Sequence, residues 1–369
     1  MYDFVVVGAG PAGSRFARRA AESGADVIVF ERGEIGTPLA CSGHLSLDIW
    51  EYLPEGSEER LRQNEIVGAR FHLGGADSRP YRFYKREPIS NALDRVQLDK
   101  ILASLAREAG ADIRTHHRVT EVSEHDDHVR VTVANDEGTE EIAARMVAGC
   151  DGPVSKVRSA LGLPEPTERL HGVLGFDGTP DHGDFVDVHL TVPRFFAWRI
   201  PRGDAGVEYG LAAPPGRDVR DLFDALIDDY GAEIEEVCSG AIPIGPPDTV
   251  TSERGFLIGD AAGQTKPFTG GGILYGMTAA DAAASTIDPT NPDTLSAYER
   301  TWRAELGREI RLGHWLRSAY SMPEPVQRLG LWMTAGEIGV HMDRPSTLLS
   351  WDHVRAALSR SQPDVDTDS

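Results

Sequence analysis

The sequence predicts an α/β protein: a Rossmann-type dinucleotide-binding domain, an antiparallel β-sheet domain interleaved with it, and a helical C-terminal region. Three observations lead there. A strand–glycine turn–helix–strand unit opens the chain. Two further Gly/Asp turns, at Cys150-Asp151-Gly152 and Gly259-Asp260, each follow a short buried-type run. Between them, residues 166 to 250 change to alternating apolar and polar runs.

The elements follow in order. Asp3 to Val7 is a strand that Gly8 breaks, and Pro11 suits the first turn of a helix. That helix carries Ala12, Ala17, Ala20 and Ala21 and ends near Gly24; Val27 to Phe30 is the second strand. Asp94, with Gln97 three residues on, reads as an N-cap. Leu98, Ile101, Leu102 and Leu105 then recur at helical spacing up to Gly110. Ile113–Thr115, Val119–Val122, Val129–Val133 and Met146–Ala148 are short strands. Phe185 to Leu190 alternates, and Phe256-Leu257-Ile258 is again a buried strand. A small-residue helix runs from Gly271 past Ala284, and Tyr298, Trp302, Leu306 and Ile310 form a helical stripe. Residues 1–75, 93–165 and 251–292 are assigned to the nucleotide domain, and 76–92 and 166–250 to the sheet domain. A helical region, 293–361, and a polar tail, 362–369, complete the chain; the tail is expected to be disordered.

Composition excludes several classes. With 369 residues and 40% hydrophobic residues the chain can bury a core. No apolar run reaches the roughly 18 residues of a membrane span, and no signal peptide is read, so a cytoplasmic protein is expected. The formal net charge is −21, and lysine occurs only at Lys85, Lys100, Lys156 and Lys266. Such a composition is typical of a halophilic protein; GC-rich coding is its other source. No basic patch supports nucleic-acid binding. Cys41, Cys150 and Cys238 suggest neither disulfides nor a metal site.

The motifs carry the chemistry. Gly8-x-Gly10-x-x-Gly13 allows a tight turn and close approach of a pyrophosphate, with free N–H groups at the helix start beyond. Glu31 lies 18 residues after Gly13, where a carboxylate can accept from ribose hydroxyls, with Arg32 beside it. Asp151-Gly152-x-x-Ser155-x-Val157-Arg158 is the second element. The third is Gly259-Asp260-Ala261-Ala262-Gly263, followed by Pro267 and Gly270-Gly271-Gly272-Ile273. There a carboxylate can bind ribityl hydroxyls, and a new helix can pass close to a planar ring and stabilise negative charge on it. All three elements in this order point to FAD.

This constellation resembles the GR2/p-hydroxybenzoate hydroxylase-like flavoproteins over roughly residues 1 to 290. The resemblance implies an ADP site at Gly8, Gly10, Pro11, Ala12, Gly13, Glu31 and Arg32. It also implies flavin contacts at Arg95, Asp151, Gly259, Asp260, Pro267, Gly271, Gly272 and Ile273. Within that superfamily, Phe196-x-Trp198-x-Ile200-Pro201 resembles the aromatic-x-Trp-x-apolar-Pro motif of geranylgeranyl reductases, usually Tyr-x-Trp-x-Phe-Pro. Cys41-Ser42-Gly43 matches the cysteine-glycine pair those enzymes place near the flavin, which adds Cys41 and Gly43 to the cofactor set. Gly203-Asp204, Tyr209-Gly210-Leu211, Ile242-Pro243 and Asp343-Arg344-Pro345-Ser346 fit as well.

The resemblance implies reduction of isoprenoid double bonds on a polyprenyl or ether-lipid precursor, with hydride from reduced flavin. Phe196, Trp198 and Ile200 alternate on a strand and share one face suited to a polyprenyl chain, with Pro201 at its end. Cys41 is the candidate catalytic residue, His44 a weaker one, and His171 is undecided. A flavin-dependent halogenase is the runner-up: its Trp-x-Trp-x-Ile-Pro motif fits Ile200 better and would need a catalytic lysine, with Lys85 nearest. An aromatic monooxygenase and a flavin-binding electron carrier are the other readings. The electron donor, NAD(P)H or ferredoxin, is open. Leu329, Leu331, Trp332 and Met333 form either a peripheral membrane patch or a helix face packed on the body.

Overall fold

A computed structural model of the chain describes residues 1–37, 41–337 and 343–346. The segment from 347, with the expected polar tail, lies outside the described residues.

Buried apolar strands build the first sheet. Its order is Asp112–Arg114, Val27–Phe30, Tyr2–Val7, Gly138–Gly149, Val129–Asn135 and Arg118–Glu124. Gly255–Leu257 adds to it, parallel to the end of Gly138–Gly149. The first four strands pair in parallel. Val5-Val6-Val7 and Val27–Phe30 are buried without a break, as strands covered on both faces require. On the far side Gly138–Gly149 returns along Val129–Asn135 as an antiparallel hairpin. This strand is longer than the expected Met146–Ala148. Its outer half, Thr139-Glu140-Glu141, is polar because it leaves the core, so it lacks a buried-strand signature.

Helix Pro11–Glu22 packs beside helix Ile273–Thr286. Small residues permit the approach: a Cβ on Gly276 would lie 3.2 Å from both the Gly259 Cα and the Ala12 Cβ. The aromatic core steps from Phe4 to Phe16 at 5.2 Å, to Phe256 at 5.3 Å and on to Tyr298 at 5.8 Å. Tyr298 belongs to helix Leu295–Arg317, and its stripe with Trp302, Leu306 and Ile310 is buried in this same core. The first helix of the expected C-terminal region therefore completes the nucleotide-domain core.

The second sheet has the order Glu236–Ile244, Glu168–Asp177, Val207–Ala213, Ala197–Pro201, Phe185–His189, Gly68–His72 and Tyr81–Tyr84. Here the expected boundary at residue 75 is corrected. Gly68–His72 pairs in parallel with Phe185–His189 and belongs to this sheet. A short strand with only Phe71 strongly apolar gives no sequence signal for which sheet it joins. A small third sheet, His44–Ser46, Ser90–Leu93 and Arg62–Ile66, links the two.

The second sheet is two-faced, as strand alternation requires. Phe223 and Leu226 of helix Val219–Tyr230 cover one face. The other carries Val186, Val188, Phe196 and Ile200 in a separate apolar cluster. On the covered side Asp187 is buried and receives both Arg70 Nε at 2.6 Å and Arg70 Nη2 at 2.7 Å, with His72 Nε2 at 3.0 Å. Burial alone would raise the Asp187 carboxyl; His72 and Arg70 outweigh it and hold it below its ordinary value.

Trp302 is 0% exposed. Trp302→Ala is expected to cost about 3–5 kcal/mol, read as a lowered urea midpoint. An unchanged midpoint would show that the C-terminal helix is not integral to the core.

Candidate functional site

The groove begins where strand Tyr2–Val7 ends. Gly8 has a φ of 97°, and a Cβ there would lie 2.4 Å from the Cys150 carbonyl oxygen. A Cβ on Gly13 would lie 2.0 Å from the Gly8 oxygen. Both glycines are thus required by the protein's own packing. Gly10 differs: a Cβ there would meet nothing within 4 Å. It opens helix Pro11–Glu22 without a side-chain cap, so the first N–H groups are left for a ligand.

Glu31 stands at the end of Val27–Phe30. Its Oε2 accepts from the Ala9 N–H at 2.8 Å and its Oε1 from the Gly33 N–H at 3.3 Å, which fixes the carboxylate at the groove edge with lone pairs to spare. Glu31 and Arg32 line a groove of about 680 Å³ that also reaches Asp151 and Gly152. Asp151 accepts from Ser155 Oγ at 2.6 Å and from the Val157 N–H at 3.0 Å, so it organises its own loop. Arg158 is buried and donates to the Ala261 carbonyl at 2.9 Å and the Pro153 carbonyl at 3.0 Å. That guanidinium ties the second motif to the third.

A second cavity, of about 450 Å³, adjoins the groove; Gly10, Pro11, Cys41, Arg95, Cys150 and Gly152 line both. The two make one path, as a dinucleotide ending in a planar ring requires. Ala12, Gly259, Asp260, Gly271, Gly272 and Ile273 line the cavity. A Cβ on Gly272 would lie 2.4 Å from Asp260 Oδ1, so only glycine lets this backbone pass the carboxylate. The residues present therefore fit FAD: uncapped helix N-termini at Gly10 and Pro11, where the two cavities join, and at Gly272 and Ile273 in the second cavity, with carboxylates at Glu31 and Asp260 for hydroxyl groups. Three residues of the expected set stand off the path. Gly13 is buried under the first turn, Gly43 packs where a Cβ would lie 2.2 Å from the Leu93 oxygen, and Pro267 packs on Gly313.

Polar groups cluster at the junction. Arg95 is buried and donates to Asp99 at 2.6 and 3.1 Å. Burial pushes the Cys41 thiol up, against the pull of Arg95, so the thiol holds its proton. Burial likewise raises Asp260 to about 6, again opposed by Arg95. His44 is pushed down to about 4 by burial and by Lys266, and shares a 2.7 Å hydrogen bond with Ser90 Oγ.

The remaining wall is apolar. Phe196, Trp198 and Ile200 all line it, with Val186 and Val188 from the next strand. Phe196 immediately precedes strand Ala197–Pro201, stacked on Phe195 at 4.4 Å and edge-on to Tyr320 at 5.7 Å. Pro201 ends the strand away from the cavity, its carbonyl accepting from Asn64 Nδ2 at 3.1 Å. His171 and Lys85 are exposed and line neither cavity. Lys266 is not among the expected site residues. It lines the cavity, buried, and pairs with Asp343 at 2.6 Å. Its only signal is a lone lysine within the glycine-rich third motif.

A family model described as FAD binding domain matches residues 1–207. The digeranylgeranylglycerophospholipid reductase of Methanosarcina acetivorans is 30% identical over 338 residues, covering 84% of this chain and 82% of that protein. A geranylgeranyl bacteriochlorophyll reductase-like structure from Thermoplasma acidophilum superposes with a TM-score of 0.83 at 24% identity, covering 98% of this chain and 97% of that one. A flavin-dependent halogenase shares the fold with a TM-score of 0.68 at 21% identity, covering 98% of this chain and 73% of that one. The family model and the reductase relative make the chain an FAD-dependent oxidoreductase.

Glu31→Ala removes the carboxylate at the groove edge that is expected to accept from ribose hydroxyls. Retained flavin after desalting, read by absorbance, is expected to correspond to an affinity about tenfold weaker or more; wild-type retention would show that Glu31 does not bind the cofactor.

Proposed function

The chain belongs to the digeranylgeranylglycerophospholipid reductase family of FAD-dependent oxidoreductases, and from that premise we propose that it saturates geranylgeranyl double bonds on a glycerophospholipid precursor. The observation that carries the reading is the apolar wall of Phe196, Trp198 and Ile200 facing the cavity that opens onto the flavin path. An isoprenoid chain offers only apolar surface and isolated double bonds, so such a wall can hold it without leaving polar groups unpaired. Reduced FAD, when bound, supplies hydride to one alkene carbon.

The protein's part is to hold the chain, exclude water and deliver a proton. Cys41 lines both the nucleotide groove and the adjoining cavity, which in this reading puts its thiol between cofactor and chain. Its raised pKa keeps a proton on Sγ, which passes to the second alkene carbon as the hydride arrives. Arg95 faces the thiolate left behind, and solvent reprotonates it between turnovers. Asp260 and the N-terminus of helix Ile273–Thr286 line the cavity and would hold the ribityl and ring end of the cofactor. Lys85 is exposed and lies off the path, which removes the support the halogenase reading needed.

Contact with a membrane surface is part of this proposal. Helix Glu324–Thr334 has no buried residue, and Val326, Leu329, Trp332 and Met333 are 49–61% exposed. Both flanks of the helix touch the cavity wall: Tyr320 packs on Phe196, and the Gly336 N–H donates to the Arg82 carbonyl in the strand of Phe83. Among the described residues, no helix is long and apolar enough to cross a membrane.

Three outcomes are expected. Dithionite-reduced enzyme, assayed anaerobically with geranylgeranyl glycerophospholipids, yields products heavier by two hydrogens per bond; activity only with oxygen would overturn the reading in favour of a monooxygenase. Cys41→Ala with flavin retained loses turnover by about 10²-fold or more, and full turnover would remove Cys41 from the reaction. The protein floats with neutral liposomes at high salt and Trp332→Glu abolishes this; wild-type protein that stays at the bottom of the gradient would sink the surface contact.

A further inference from the structure

In the strand beside the apolar wall, one carboxylate ties two parts of the site together. Glu208, on Val207–Ala213, is 1% exposed. Its Oε1 accepts from Trp198 Nε1 at 2.9 Å. The Ser42 side chain and the Gly43 backbone, directly after Cys41, lie near enough to the same carboxylate to favour its charged form, as does the Arg202 cation. Burial pushes the Glu208 carboxyl up, and these partners oppose it.

Two residues further along, Gly210 pairs directly with Trp198 across the strands. A Cβ on Gly210 would lie 2.3 Å from Cζ2 of the indole and 2.7 Å from its Nε1. Any other residue would push the ring off the strand. Glu208 and Gly210 therefore form a seat: Gly210 gives the indole room, and Glu208 fixes its N–H. The indole is in turn part of the cavity wall. A buried carboxylate is costly to keep, and an apolar neighbour of similar volume would serve packing better. The cost of burying it is accounted for if the geometry it fixes is used.

We infer that Glu208 is a positioning residue that sets the angle of Trp198 in the cavity wall and its distance from the Cys41 loop, and so decides which double bond of a bound chain reaches the flavin. The inference rests on the reductase reading above. Losing the seat lets the indole turn, so the chain binds in several registers rather than one.

The test uses flavin-replete Glu208→Leu, Glu208→Gln and Trp198→Phe. Glu208→Leu is expected to raise KM for a geranylgeranyl lipid about tenfold and to broaden the set of partly reduced products, with a smaller change in kcat. Glu208→Gln keeps an acceptor for the indole and restores both. Trp198→Phe behaves like Glu208→Leu, and combining the two adds nothing further. Wild-type KM and products in Glu208→Leu would overturn the inference. Should Glu208→Leu fail to fold, Gly210→Ala disturbs the same seat from the paired position; unchanged products there would overturn it equally.

A substrate-free measurement separates this from the reductase reading. In protein labelled with ¹⁵N-tryptophan, the Trp198 indole N–H resonance is the one lost in Trp198→Phe. It is expected to shift in Glu208→Leu, and less in Glu208→Gln. A shift in protein that reduces no geranylgeranyl lipid would leave the seat standing and sink the reductase reading; an unmoved resonance would sink the seat.

Discussion

Three parallel strand ends lie side by side, and the site depends on that placement. Tyr2–Val7 and Gly255–Leu257 flank Gly138–Gly149 on either side. Each strand runs directly into one motif turn: Gly8 to Gly13, Cys150 to Gly152, and Gly259 to Gly263. A crevice at the carboxyl ends of parallel strands is where an open α/β sheet binds ligands. Segments far apart in sequence can therefore line one groove. The fit is close, because Gly8 has no room for a side chain against Cys150, and Arg158 bonds across to the Ala261 carbonyl.

The second sheet supplies the other wall, and its two faces divide the labour. Asp187 and Arg199 alternate with Val188 and Trp198 along adjacent strands. One set forms ion pairs on the side that helix Val219–Tyr230 covers, with Arg70 and Asp181 as partners. The other set faces the cavity. Ion pairs of this kind add little net stability, but they fix strand register, and a one-residue slip would turn every cavity residue to the wrong face.

The nucleotide site is largely legible in the sequence, because phosphate and ribose binding demand glycine and carboxylate at fixed spacing. Gly8, Gly10, Glu31, Asp151 and Asp260 all line the path. Arg95 is expected from resemblance alone, and its buried pairing with Asp99 has no sequence signal beyond the spacing of four. Partnership across the chain is what sequence does not carry. Lys266 with Asp343, and Glu208 with Trp198, join residues whose neighbours carry no mark of the contact. Pro201 and Pro267 read as parts of their motifs, yet they shape backbone behind the wall. The strand Gly68–His72 escapes sequence assignment for the same reason: its length and composition do not say which sheet completes it.

One continuous path leads from the nucleotide groove to an apolar wall, and in the proposed reaction ring and isoprenoid chain meet at Cys41. A crystal structure of the FAD-loaded protein with a bound geranylgeranyl lipid tests it most directly. An alkene stacked over the flavin ring within van der Waals reach of Cys41, with the chain lying along Phe196, Trp198 and Ile200, is expected. A chain bound elsewhere, with that wall solvated or collapsed onto the flavin, would contradict it.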